Sequence, residues 1–311
     1  MLRPLSIGEM LDRAVTLSVR YFVPLFTIWA LFAVPLSVFQ FYGSGDQTQL
    51  LDNILRGAMH GVGSRSNGLS SLFYVPQVFN GYTVAFWTFM LFGTPLGSTA
   101  IMTATDEAYV TGNAPAMIAA YRVGAKHWLA FFGILLIWLA FMALAFVGLS
   151  IAAVVVNFAA PLAAHTAKSA LTVFLIGILL VAGVGLAGAI LCSLAAQIGF
   201  YTQLIEDRGV LQSVSSGVRR VFGKSAGRSI RLGAASAAIW AAFLIFSGGL
   251  QVLALEAFHS SAAAAAVGAL FTIALAIFAN AVTLVYYYDI RIRTEGLDLQ
   301  LALRPGETVS V

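Results

Sequence analysis

The stretch WLAFFGILLIWLAFMALAFVGLSIAAVVVN, residues 128–157, decides the fold. It carries no charge and is longer than the roughly 20 apolar residues that a helix needs to cross a bilayer core. Five more stretches read the same way, about 21–42, 74–104, 169–203, 232–256 and 262–288. No charged residue lies between Lys126 and Lys168, between Lys168 and Glu206, or between Arg231 and Glu256. Composition agrees: of 311 residues 60% are hydrophobic and 10% charged, where a soluble domain carries about 25% charged. The expected fold is all-α, a polytopic membrane bundle of six transmembrane helices forming a single domain over 1–311.

Basic residues set the orientation. Placing the segments before span one, between two and three, between four and five, and after six on one side collects 14 of the 17 Lys and Arg residues, leaving Arg56, Arg65 and Lys168 opposite. The positive-inside rule makes the rich side cytoplasmic, with both termini there and the cell membrane as the location. The first apolar run exceeds the 7–15 residues of a signal-peptide core, and Glu9 and Asp12 precede it, so it reads as a span. The single cysteine, Cys192, excludes an intrachain disulfide. On the outer side, 43–71 ends in a Gly- and Ser-rich run, and TQLLDNILRGAMHGV within it reads as a short amphipathic helix.

Three cytoplasmic segments, 5–20, 113–127 and 208–228, each precede a helical hairpin and suggest a three-fold repeat. In the first, Ser6 and Glu9 have capping-box spacing, and Glu9, Asp12, Arg13, Thr16 and Arg20 share one helical face. In the second, Arg122 and Lys126 stand at i, i+4. In the third, Leu211, Val214, Val218 and Val221 form an apolar side, and Gln212, Ser216, Arg219, Arg220 and Lys224 a polar one. Basic amphipathic helices beside spans lie naturally among anionic headgroups. Arg219, Arg220, Lys224, Arg122 and Lys126 are therefore the candidate surface for anionic lipid or a partner protein. This accounts for a pI near 9.3 without nucleic acid.

With the repeat laid out, SIGEMLDRAVTLSVRYFVPLF at the start, IEDRGVLQSVSSGVRRVF after span four and YYYDIRIRTEGLDLQL at the end resemble the membrane domain of glycerophosphoryl diester phosphodiesterase. The most specific part is Asp289, Arg291, Arg293, Glu295, Gly296 and Asp298, at the head of an expected tail 289–311. The resemblance implies a membrane module, and the residues after Tyr288 leave no room for a catalytic barrel.

The residues suggest no reaction. His60, His165 and His259 all fall on the outer side without local metal-ligand spacing, and His127 beside Trp128 reads as interfacial. Asp106 with Glu107, Glu206 with Asp207, and Asp289 mark the inner ends of spans, where they offset nearby bases, as Asp289 does with Arg293 at i, i+4. No nucleophile elbow, zinc-protease motif or phosphate loop is present. Neither a cofactor nor a metal is expected. The spans hold no ionisable residue near their centres, the usual mark of an ion pathway, and Gly93, Pro95 and Gly97 offer a break in span two but read as the Pro and Gly ordinary in membrane helices, where neighbours re-satisfy the backbone. Gln197 and Asn280 each lie nine residues before an acid, at equal depth, and form a candidate intramembrane polar pair that shuns lipid. The functional expectation is a non-catalytic module that packs with or recruits partner proteins, and the alternative is a carrier or flippase for a lipid or other apolar solute.

Overall fold

The computed structural model describes residues 4–43, 81–163 and 167–296. The outer segment, His60, His165, Asp298 and the tail beyond Gly296 lie outside the described residues. Within them, all regular structure is α-helical: α1 (Ile7–Arg20), α2 (Phe22–Gly43), α3 (Gly81–Thr111), α4 (Met117–Ala163), α5 (Ala167–Glu206), α6 (Val210–Phe222), α7 (Ala226–Phe258) and α8 (Ser261–Glu295). All but α1 and α6 are long and apolar enough to cross a membrane, which makes six.

Local chemistry explains the helix ends. Ser6 and Glu9 form the reciprocal capping box that starts α1, with Ser6 N–H donating to Glu9 Oε2 at 2.7 Å and Glu9 N–H to Ser6 Oγ at 3.2 Å. At the other end of the chain Gly296, with φ +63°, closes α8 in the left-handed conformation that glycine adopts without penalty. α8 therefore runs seven residues past the expected span end, and Asp289–Glu295 are helix, not tail. The segment 113–127 also differs from expectation, since from Met117 onward it is the first turns of α4. Nothing in 117–127 breaks a helix, so the span continues through it.

Pro95 does not interrupt α3. Thr99 Oγ1 donates to the Pro95 carbonyl, at 2.5 Å. Gly93 and Gly97 serve packing: a Cβ on either would come within 2.9 Å or 2.7 Å of the Phe32 ring of α2. Small residues that admit a neighbour are the usual means of helix association in lipid.

The organising element is α8. Every residue from Ala281 to Ile290 is buried, so this stretch is enclosed on all sides and has no exposed face. α1, α2, α3, α5 and α7 all pack against it. α4 packs on α3 and α5, and α4 and α5 together leave Leu144, Phe146, Ile151, Val155, Leu179 and Val184 more than half exposed, apolar surface that suits lipid.

α6 turns its small residues inward. Ser213, Ser216, Gly217 and Arg220, at i, i+3, i+4 and i+7, are buried together with Val221 of the expected apolar side, while Leu211, Val218 and Phe222 face out. A Cβ on Gly217 would meet the Ala195 carbonyl oxygen at 2.3 Å and the Gly199 nitrogen at 2.9 Å, so α6 crosses α5 backbone to backbone.

Candidate functional site at the charged end of the bundle

The acids and bases at the α1 and α6 end of the bundle gather around the last turns of α8. Three consecutive tyrosines lead into them. Successive helical residues point about 100° apart, so three in a row reach three different neighbours. Tyr286 shares a 2.6 Å hydrogen bond with Ser229 of α7, Tyr287 donates to Glu206 of α5 at 2.7 Å, and Tyr288 donates to Asp106 of α3 at 2.8 Å. Ser229 in turn donates to the Val221 carbonyl of α6 at 2.8 Å.

Below this fan lie two ionic clusters. In the first, Asp289, whose side chain is fully buried, pairs with Arg228 of α7 at 2.9 Å and with Arg293 one turn on at 3.1 Å. Its Oδ1 also accepts the backbone N–H of Leu5 at 2.8 Å, while Arg293 and Arg228 both donate to the Leu5 carbonyl, Arg293 at 2.9 Å. The chain just before α1 is thus held through both polar groups of one peptide residue.

In the second cluster Glu206 pairs with Arg220 and Arg208, each at 2.7 Å, and Arg220 also holds Glu295 and donates to Thr202 at 2.6 Å. Arg291 bonds Glu295 at 3.0 Å. The Arg220 and Arg291 guanidiniums both lie over the Tyr287 ring, 5.4 Å and 5.6 Å from its centre, within cation–π range. Burial opposes the Arg220 charge, but its contacts with Glu295 and Glu206 outweigh that and raise its pKa. It stays a cation.

The expected basic face of α6 is therefore divided. Arg219 and Lys224 are exposed, as are Arg122 and Lys126 on α4, but Arg220 is turned inward. The cause is close packing: Gly217 lets α6 approach the α5 backbone, and Arg220, three residues on, lies on that packed side. The terminal residues singled out in the sequence are brought together as far as they are described: Asp289, Arg291, Arg293 and Glu295 take part in the two clusters, and Gly296 ends the helix.

Gln197 and Asn280 are both half-buried, on α5 and α8, which pack together. Each amide takes a different partner from the one expected. Gln197 accepts from Thr283 at 2.5 Å, and Asn280 donates to the Ala276 carbonyl of its own helix at 2.8 Å. The short Asn side chain reaches its i−4 carbonyl, and the hydroxyl one turn on meets Gln197. His127 is bonded too, sharing a 3.0 Å contact with Gln203.

Sequence reasoning missed Tyr286, Tyr287, Tyr288, Arg228 and Thr283. The triple tyrosine was the available signal, since three aromatic hydroxyls at the end of an apolar run each need a partner. No protein-family profile, curated protein sequence or solved structure matches the chain.

Proposed function

We propose that the chain is a non-catalytic multi-pass module of the cell membrane, with both termini cytoplasmic, that packs with or recruits partner proteins. The observation that carries this reading is how the charged end uses its acids. Asp289 is held by two arginines, Glu206 by three, and Asp106 by Tyr288. Such groups fasten helices together. The cations that remain on the surface, Arg219, Lys224, Arg122 and Lys126, suit anionic headgroups or an acidic partner.

The three-repeat architecture belongs to the same proposal. α6 follows α5 and packs on it, residues 117–127 follow α3 and meet it where Gly124 approaches the Leu96 carbonyl, and α1 packs on α8. Each of α3, α5 and α8 carries an engaged acid, Asp106, Glu206 or Asp289. The resemblance to the membrane domain of glycerophosphoryl diester phosphodiesterase supports a module of this kind through the clustered motif residues.

A carrier or flippase for a lipid or other apolar solute is the second reading. What favours it is an apolar cavity of about 180 Å³ between α4, α5 and α6. Reconstitution into vesicles with a fluorescent lipid analogue separates the two. The module leaves the rate of lipid exchange between leaflets at that of empty vesicles, and acceleration overturns it in favour of the carrier. Sidedness is tested by placing cysteines at Ser66 and Ser310 in a Cys192→Ser background. An impermeant reagent should label only the former in intact cells, and equal labelling would refute the orientation.

A further inference from the structure

We infer that the cavity between α4, α5 and α6 is a binding site for an anionic phospholipid, one acyl chain lying in the cavity and the phosphate at Arg219. The inference rests on the membrane reading above and gives its lipid-facing surface one defined place.

Three stripes build the cavity. Ile134 and Trp138 come from α4, Cys192 and Ala196 from α5, and Val218 and Phe222 from the outward side of α6. The lining is almost wholly apolar, and the volume exceeds the ~150 Å³ of an engineered cavity that takes up benzene. A hydrocarbon chain fits that chemistry, and in a bilayer the nearest hydrocarbon is lipid.

The rim supplies the selectivity. α6 crosses α5 at Gly217 and Gly199, which sets its Val218 and Phe222 over the cavity. Arg219 follows Val218 and precedes Phe222 by three residues, so on the helix surface it neighbours the aromatic ring that lines the cavity. Arg219 and Lys224 are exposed, whereas Arg220 is consumed by Glu206 and Glu295. A headgroup above the cavity therefore meets a cation whose charge is not spent within the cluster. A zwitterionic lipid fills the groove equally well but gains less from Arg219.

Trp138 makes the site observable. Bromine on an acyl chain quenches tryptophan fluorescence on contact, and the Trp138 signal is the difference between the protein and its Trp138→Phe variant. In phosphatidylcholine vesicles containing brominated phosphatidylglycerol, the Trp138 component should reach half-quenching at a mole fraction about fivefold lower than with brominated phosphatidylcholine, as expected for one cation near an anionic lipid. Arg219→Gln, an exposed change, should erase that preference, and Ala196→Phe should abolish the Trp138 quenching. Equal quenching by the two lipids, or a preference that survives Arg219→Gln, overturns the site. If the site fails while phosphatidylglycerol still co-purifies preferentially, the wider cationic surface stands without it. If that enrichment is also lost, the headgroup reading falls too.

Discussion

The Asp289 carboxylate accepts the backbone N–H of Leu5 at 2.8 Å across 284 positions of sequence. That bond joins the segment leading into α1 to the helix on which α1 packs. Two arginines form ion pairs with the same buried carboxylate.

Removing the charge from Asp289 should expose how much depends on it. Asp289→Asn keeps the shape but leaves Arg228 and Arg293 facing each other without an anion. Breaking a buried pair from one side costs about 3–5 kcal/mol. Thermal unfolding in detergent, followed by size-exclusion of the soluble fraction, should show a large fall in midpoint. A midpoint within a degree or two of the parent would remove Asp289 from its structural role.

The three tyrosines should rank. Tyr287→Phe and Tyr288→Phe each leave a carboxylate short of a donor, and hydrogen bonds to charged groups are worth about 1.5–3 kcal/mol. Tyr286→Phe loses a bond between neutral hydroxyls, worth about 0.5–1.5 kcal/mol. Denaturation midpoints of the three variants test the order, and a Tyr286→Phe variant less stable than both others would contradict it.

Two neighbouring arginines should behave oppositely. Arg220→Gln takes a cation from Glu206 and Glu295 and should destabilise the bundle by about 2 kcal/mol or more, as loss of a buried charge partner does. Arg219→Gln should fall within about 0.5 kcal/mol of the parent, as exposed changes do. Equal effects would mean that α6 does not sit with Arg220 inward.

Glycines test the α5–α6 crossing. Gly217→Ala places a methyl on the Ala195 carbonyl and should cost about 1–3 kcal/mol of overpacking strain. Gly148, with nothing within 4 Å of its missing Cβ, is the control, and its change to Ala should be neutral or stabilising. A harmless Gly217→Ala would separate the two helices.

The amide on α5 makes the finest test. A double-mutant cycle of Gln197→Leu with Thr283→Val should return a coupling of about 0.6 kcal/mol, and no more than about 1.7, the range for such bonds in membranes. The same cycle with Asn280→Ala in place of Thr283→Val should return nothing measurable.

Much of the architecture was legible in the sequence because crossing a bilayer makes one blunt demand, a long uncharged run. The six runs stand in α2, α3, α4, α5, α7 and α8, and the Ser6–Glu9 box starts α1 as its spacing implies. Finer placement was not legible, for a physical reason. Amphipathicity tells which side of a helix differs, but beside lipid either side can turn inward, and α6 takes the choice that buries Arg220. Tyr286, Tyr287 and Tyr288 are plain in the sequence, yet their partners on α7, α5 and α3 follow only from α8 being central. Leu5 gave no signal at all, because what Asp289 and the two arginines hold there is its backbone.

The central position of α8 also sets an order of events at the ribosome. Asp106 and Glu206 are made long before the tyrosines that bond them, and Leu5 waits for Asp289 through 284 residues of translation. At ~5–20 residues per second that wait is on the order of 15–60 s. Until α8 is made, Leu5, Asp106 and Glu206 lack the partners that it supplies to each of them. The bundle is finished from the inside, by the helix that arrives last.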